Sequence, residues 1–380
     1  MRSPVIVLLT ALALYLPAQE AAGPTRTADG GQFLASPLPL LSLTGDAATL
    51  GRQAGELTGA RTQAMLRLLN RHPTLAGLRA SPVLSELRAA IAPEQSEEIL
   101  AWAQAAQVDG EALLLANLAV DVLCTAVVRL PVDGHPLQVA RNMDFSPDTE
   151  LGRLTVTIAR RPVGRRATLS IGWPGYAGIV SGMNDAGVSA CLLLNHAAKR
   201  NASGDPMGLR LRALLERADD LPTAIALFAA APIRSANYVL LADATTAAVV
   251  WWGEQGLRRV DPTRDGWLFC TNARIAEDTG LPTDPRGLYA RELADTRRLP
   301  DLTWLRGLLT ATYLRDLNAQ AMVLVPATRA LHLATNDGKP AALSTWYGVD
   351  GARLMAGAAL DQVPVTVLEP VKPFPHYTQK

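Results

Sequence analysis

The chain has 380 residues, with 36 basic side chains against 35 acidic ones and a formal net charge of +1; 49% of it is hydrophobic and only 19% is charged. That apolar fraction excludes a disordered chain, and the lack of a basic surplus argues against a nucleic-acid surface. Three cysteines cannot build a disulfide framework, so each is either reactive or simply buried.

The first element is apolar. Val5 to Leu16 is interrupted only by Thr10 and is followed by Pro17 and the small residues Ala18, Ala21 and Ala22. As a helix it spans about 18 Å, too short for a bilayer core of roughly 30 Å. A lone Arg2, a short apolar core and small residues read as a secretory signal over residues 1–22, with an uncleaved N-terminal anchor as the alternative. No later segment is long and apolar enough to span a bilayer. The expectation is a secreted or periplasmic protein with no stable membrane insertion once the signal is removed.

From Asp46 to Val122 the pattern is mainly helical. Apolar residues recur at three- and four-residue steps through Met65, Leu66, Leu68 and Leu69, then Leu84, Leu87 and Ile91. Pro93 opens a further helix with Glu97 and Glu98 close behind, and another follows the Asp109-Gly110 turn, over Glu111 to Leu123. Beyond Cys124 the texture changes to strands. Thr125 to Leu130 and Leu137 to Arg141 flank Asp133-Gly134, a hairpin signal. Further strands are read at Leu154–Ala159, Ala167–Ile171, Val188–Leu194, Tyr238–Ala242, Ala247–Trp252 and Trp267–Thr271, with a last pair at Ala321–Val325 and Ala330–Ala334. Helices are read at Leu209–Arg217, Leu221–Ala230, Pro285–Thr296 and Leu302–Thr312. Strands, then helices, then strands indicate α+β with antiparallel sheets.

The chemistry is narrowed first by what is missing. His72, His135, His196, His332 and His376 are scattered, so no metal site is expected. There is no G-x-S-x-G elbow and no glycine-rich phosphate loop, so no cofactor is expected either. A papain-like peptidase would need a helical cysteine with a histidine brought close to it, whereas Cys124 begins a strand. What remains is a set of polar residues at strand ends: Cys124-Thr125, Arg141-Asn142-x-Asp144, Asn184, Asn195 and Thr271-Asn272. Taken singly, each reads as part of a structural ion pair beside a core cysteine, because an unpaired buried charge is costly.

Taken in order, these blocks resemble the cysteine N-terminal-nucleophile (Ntn) hydrolases, which include penicillin V acylase, bile salt hydrolase and acid ceramidase. Cys124-Thr125, a hairpin and Arg141-Asn142-Met143-Asp144 resemble the family's first block. Gly182 to Val188 with Asn195 resembles its second, and Thr271-Asn272 with Arg286 its third. The nearest resemblance is to the acyl-CoA:6-aminopenicillanic acid acyltransferase-like branch, the autoproteolytic C45 group. That branch carries a helical prosegment, matched here by Pro93 to Leu123 with its Glu97-Glu98 and Ala116-Asn117-Leu118.

The resemblance implies an αββα sandwich of two antiparallel sheets between helical layers, preceded by a helical prosegment over residues 23–123 and followed by the catalytic chain 124–380. It also implies self-cleavage between Leu123 and Cys124. The new α-amino group, with an unperturbed pKa near about 7.7–8.0, would then serve as the base for its own thiol. By the same carry-over Cys124 is the nucleophile, Asp144 orients the amine, and Arg141 favours the thiolate. The side chain of Asn272 and the backbone N–H of Asn195 are the oxyanion donors. Arg286 matches the third-block arginine, with Arg291 as its rival.

Hydrolysis of an N-acylated small molecule is the expected activity. Acyl transfer to an amine, or a non-catalytic binding homologue, are the alternatives. Where the branch often has His after the third-block Asn, this chain has Ala273, which leaves the particular substrate open. Cys191 and Cys270 are expected to be plain core residues, and Trp173, Trp251 and Trp252 are weighed as an acyl pocket against ordinary core. Asn201-Ala202-Ser203 is a glycosylation sequon of little weight in a chain this poor in lysine. Whether the prosegment stays associated after cleavage is left open.

Overall fold

The computed structural model describes residues 23–71, 77–80, 84–118, 123–145, 149–196, 206–230, 236–296 and 301–379. The expected signal, the sequon and residues 119–122, just ahead of the Leu123–Cys124 bond, lie outside them.

Two sheets form the centre. The first runs, in spatial order, Thr25–Arg26 (β1), Gln32–Leu34 (β2), Leu40–Gly45 (β3), Val156–Pro162 (β6), Thr168–Gly172 (β7), Ser181–Asn184 (β8), Ser189–Leu194 (β9), Asn237–Ala242 (β10), Ala247–Gly253 (β11) and Gly256–Val260 (β12). The second runs Trp267–Thr271 (β13), Leu123–Arg129 (β4), Gln138–Asp144 (β5), Asn318–Val325 (β14), Ala330–Thr335 (β15), Trp346–Asp350 (β16) and Val365–Val367 (β17). Neighbours pair antiparallel except β3 and β6, which run parallel.

Alternation along β4 and β5 separates two environments, because successive side chains leave opposite faces of a strand. Cys124, Ala126 and Val128 pack with Val139, Met143, Met322 and Leu324 in the core shared with the first sheet. Val127, Ala140, Phe269, Ala321 and Val323 face the other way, onto Ala290, Leu305, Leu308 and Leu309 of the Pro285–Asp295 and Leu302–Thr312 helices. The far side of the first sheet is covered by the Ala47–Asn70, Pro93–Ala105 and Gly110–Leu118 helices, whose Leu50, Ala54, Ile99, Trp102 and Leu113 meet Leu41, Leu43, Val156 and Ile158. The Met207–Leu215 and Leu221–Ala229 helices pack on β9 and β10. The layers are therefore helix, sheet, sheet, helix, the α+β sandwich expected.

Three differences from the sequence reading matter. The segment before Cys124 is not helical throughout, since β1 to β3 extend the first sheet and β3 pairs with β6 along its whole length. Leu40 to Leu43 is buried on both faces, and Leu41-Ser42-Leu43-Thr44 is an apolar–polar alternation that the sequence reading passed over. The sheets are accordingly not purely antiparallel. Strands β8, β12, β16 and β17 were also absent from the reading: they are short and lie next to turns or at sheet edges.

The N-terminal segment is also locked on through polar contacts. A Cβ at Gly51 would lie 2.1 Å from Glu98 O, so the two helices touch there only because Gly51 has no side chain. That close crossing places Glu98, 1% exposed, between Arg160 of β6 (3.3 Å) and Arg212 (2.6 Å), and Arg212 also holds Glu216 at 2.7 Å. Asn117 donates to Gly175 O at 2.8 Å and accepts from the Ala177 N–H at 2.7 Å.

Candidate active site

The hairpin between β4 and β5 is closed by Asp133 and Gly134, both at positive φ (45° and 81°), the geometry that an Asp-Gly turn supplies readily. It sets Ala126 opposite Arg141 and Cys124 opposite Met143. Cys124 and Arg141 thus project from the same face, into the gap between the sheets. Arg141 NH2 donates to Cys124 Sγ at 2.8 Å and to Leu192 O, while NH1 reaches Val180 O and Ser181 Oγ. The thiol in turn lies 3.6 Å from Leu192 O. Both residues are completely buried.

Burial pushes the Cys124 thiol up to about 11, and Arg141 offsets only part of that rise. The Arg141 guanidinium favours the ionised sulfur, but in the uncut chain desolvation outweighs it. Cys191 is a buried residue of the same core. It pairs with Ser181 across β8 and β9, so it shares the face on which Ser181 accepts from Arg141, and it lies within the guanidinium's influence.

The Cys124 backbone nitrogen has its own cluster. Its N–H donates to Asn272 Oδ1 at 2.7 Å, and Asn272 Nδ2 donates to Leu194 O at 2.8 Å. Arg286 NH2 also donates to Asn272 Oδ1 (3.2 Å), while NH1 donates to Thr125 Oγ1 (3.1 Å) and lies 3.6 Å from Asp144 Oδ2. With two donors on the oxygen and an acceptor at the nitrogen, the amide of Asn272 is oriented unambiguously. Arg286 is delivered by the start of its helix. Asp284 caps that helix through the Gly287 N–H (3.1 Å), holds Arg286 Nε at 3.2 Å and accepts from Thr271 Oγ1 at 2.8 Å.

Asp144 is fully buried opposite Asn318, whose Nδ2 donates to Oδ1 at 2.9 Å; the Leu314 N–H adds a second bond to Oδ1 at 3.2 Å. Among the described residues Oδ2 has no hydrogen-bond partner. Burial pushes this carboxyl up to about 6, against the opposing pull of Arg286.

Cys124, Arg141, Asp144, Asn272 and Arg286 are thus brought together, and Leu123 enters the cluster on β4 opposite Asp144. Of the two arginines weighed, Arg286 enters the cluster, whereas Arg291 pairs outward with Asp265 and Asp295 at 3.0 and 2.6 Å. The Asn195 N–H donates to Ala236 O at 2.8 Å in the run-on of the β9–β10 ladder, and one N–H of the Asn272 amide donates to Leu194 O while its oxygen takes the Cys124 N–H. Asn184 caps a turn, donating to Leu215 O and Ala218 O.

Of the tryptophans weighed, Trp173 packs between Phe145 and Tyr176 with its indole N–H on Leu151 O, and Trp251 meets Tyr238 edge-on. Ser181 and Asn318 are contacts that the sequence reading missed. Asn318 carries the same signal as Asn195, a polar residue bordering an apolar strand. Among the described residues there is no cluster of three or more potential metal ligands, and no helix is long and apolar enough to cross a membrane.

No curated protein matches the chain. Several solved structures are similar to parts of it. An N-acylethanolamine-hydrolyzing acid amidase ortholog of Caenorhabditis elegans is 17% identical, covering 53% of this chain and 93% of its own, with a TM-score of 0.46. A mutant conjugated bile acid hydrolase of Clostridium perfringens is 14% identical (66% and 98% covered, TM-score 0.43). Penicillin V acylase of Agrobacterium tumefaciens is also 14% identical (66% and 100%, TM-score 0.41). In sequence, residues 133–280 match a family model, a span that holds Arg141, Asp144, Asn195 and Asn272 but begins after Cys124. The matching model is that of acyl-coenzyme A:6-aminopenicillanic acid acyl-transferase, and the match spans less than half of this chain.

Proposed function

We propose that the chain is made as an inactive precursor and becomes a cysteine amidohydrolase by cutting itself between Leu123 and Cys124. The observation that carries this reading is that one residue has both its sulfur and its nitrogen held by a buried polar cluster. Arg141 lies 2.8 Å from Sγ, and Asn272, itself held by Arg286, lies 2.7 Å from the nitrogen. A structural cysteine needs neither.

In the first step Sγ attacks the Leu123 carbonyl carbon, the peptide C–N bond breaks, and the nitrogen takes a proton to become the Cys124 amine. Water then hydrolyses the resulting thioester, releasing the Leu123 carboxylate and the free thiol. Before this, burial holds the thiol up at about 11 and the nitrogen is an amide, so the precursor lacks the base that turnover of a substrate uses. Afterwards the amine takes the thiol proton and Sγ attacks the substrate carbonyl. The amine returns the proton to the leaving nitrogen, and water frees the acyl group from Cys124. Arg141 stabilises the thiolate. Asn272 holds the amine, and the unpartnered Oδ2 of Asp144, beside Arg286, is the counter-charge for its protonated form.

The substrate class is a linear N-acylated small molecule. Transfer of the acyl group to an amine instead of water is a second reading, favoured by the acyl-transferase family that residues 133–280 match. Mass spectra taken during turnover of N-acyl amino acids, N-acyl lactones, penicillins and bile-acid amides should show an acyl adduct on the fragment beginning at Cys124. With an added amine, an acylated amine marks transfer and free acid marks hydrolysis. No adduct and no turnover across the panel would leave the amidohydrolase reading without support.

The N-terminal segment is proposed to remain bound after the cut, because β3 and Glu98 are built into the first sheet and its buried ion network. Co-elution of the two fragments on gel filtration tests this. Export follows from the signal-like residues 1–22 and is tested by cell fractionation.

A further inference from the structure

The two oxygens of Asp144 are treated differently by the fold. Oδ1 is saturated by Asn318 and the Leu314 N–H, and Oδ2 is left open on the side of Arg286. The backbone explains how Asn318 comes to face this carboxylate. On β14 Asn318 pairs with Asp144 and Gln320 with Met143, so Ala319 is an extra residue, a β-bulge. Strict alternation would set Asn318 opposite Phe145, on the inner face with Gln320 and Met143. The bulge turns it onto the outer face, over Asp144.

There its rotamer is fixed. Asn318 Oδ1 accepts from the Ala342 N–H at 2.8 Å, and Nδ2 also reaches Gln320 O at 3.3 Å. The residue is completely buried. A bulge that re-aims one polar side chain onto one carboxylate oxygen is more than a strand needs for pairing.

We propose that Asn318 is the positioning residue for Asp144: by occupying Oδ1 it keeps Oδ2 free and directed toward Arg286 and the Asn272–Cys124 hydrogen bond. This rests on the roles of Cys124 and Asp144 given above. The charged or titratable groups facing Asp144 are Arg286 from its helix, Arg141 from the same strand and the thiol of Cys124 from β4. Asn318 joins the two arginines in favouring the carboxylate, against burial.

The test titrates Asp144 directly, by carboxyl infrared difference spectra referenced to Asp144→Asn, in the full chain carrying Cys124→Ala. That readout does not require the chain to cut itself. Asn318→Ala should raise the midpoint by about one pH unit, the loss of one hydrogen bond to a charged group. Asn318→Asp keeps the shape and the Ala342 contact but removes the donor, and should raise it further because two carboxylates then share the site. In the self-cleaving chain the acid limb of kcat/KM should move the same way, which a loss of packing alone would not cause. An unchanged midpoint in both variants overturns the role of Asn318 while leaving that of Cys124 standing. A midpoint that moves in a chain whose wild type neither cuts nor turns over overturns the proposed function and leaves Asn318 in place.

Discussion

Replacing Glu98 by alanine should damage the fold more than any surface charge change. Glu98 takes Arg160 on one oxygen and Arg212 on the other, and Glu216 is the second partner of Arg212. The quartet of two Glu and two Arg is formally neutral, and its members are buried. Without Glu98 it carries one uncompensated positive charge, in a place where burial already pushes Arg160 down to about 10. Breaking a buried pair in this way costs about 3–5 kcal/mol, a large share of the roughly 5–15 kcal/mol that keeps a domain folded. With a urea slope of about 3 kcal/mol per molar, the unfolding midpoint should fall by about 1 M or more. The assay is urea unfolding followed by circular dichroism, in the Cys124→Ala chain so that one species is present. Glu94→Ala is the control, because its partner Arg165 lies at the surface and exposed pairs contribute little. If the Glu98 and Glu94 variants unfold together, the N-terminal segment is not anchored by this network and the reasoning fails.

Other outcomes follow from the site. Arg141→Leu removes the charge that opposes burial at Cys124, so the chain beginning at Cys124 should appear about 10–100-fold more slowly by mass spectrometry. Asn272→Leu leaves the buried Cys124 N–H without its acceptor; it should slow cleavage and cost the uncut chain about 1–3 kcal/mol in the same urea assay. Arg286→Ala should impair cleavage while Arg291→Ala does not, since only Arg286 reaches Asn272 and Asp144. Asp144 gives a pH dependence of fixed sign. Its folded carboxyl lies near about 6 against 3.8 in the ordinary state, so between those values the folded chain binds more protons than the unfolded one. Its contribution is therefore fully present below the ordinary value and is lost as pH rises through about 6, on the order of 3 kcal/mol in all. Urea midpoints of the Cys124→Ala chain between pH 4 and 7 should flatten when Asp144→Asn is added.

Much of this was legible in the sequence, and the rest was hidden for physical reasons. The β4–β5 hairpin could be read because Asp-Gly is a specific turn signal flanked by β-prone runs. Cys124, Arg141, Asp144 and Asn272 stood out as polar residues at strand ends, and only their order, which resembles that of the cysteine Ntn hydrolases, made them candidates for a site. The contacts of Asn272 and Asn195 were not legible, because residue type does not say which end of an amide faces which neighbour, nor which backbone N–H a ladder pairs. β3 was missed although Leu41-Ser42-Leu43-Thr44 alternates, because that run is short and directly follows Pro37 and Pro39, which read as loop. Asn318 was missed because its direction depends on a bulge at Ala319, which no periodicity announces. Glu98 was singled out only as part of a motif, since its partners Arg160 and Arg212 come from distant elements.

The central claim is that Cys124 becomes the start of a chain, and intact-mass and N-terminal analysis of the purified protein tests it most directly. The account predicts a fragment beginning at Cys124, a companion ending at Leu123, and a Cys124→Ala chain that stays in one piece. A wild-type chain that turns over amide substrates while uncut, or a cut at this bond that persists in Cys124→Ala, would contradict it.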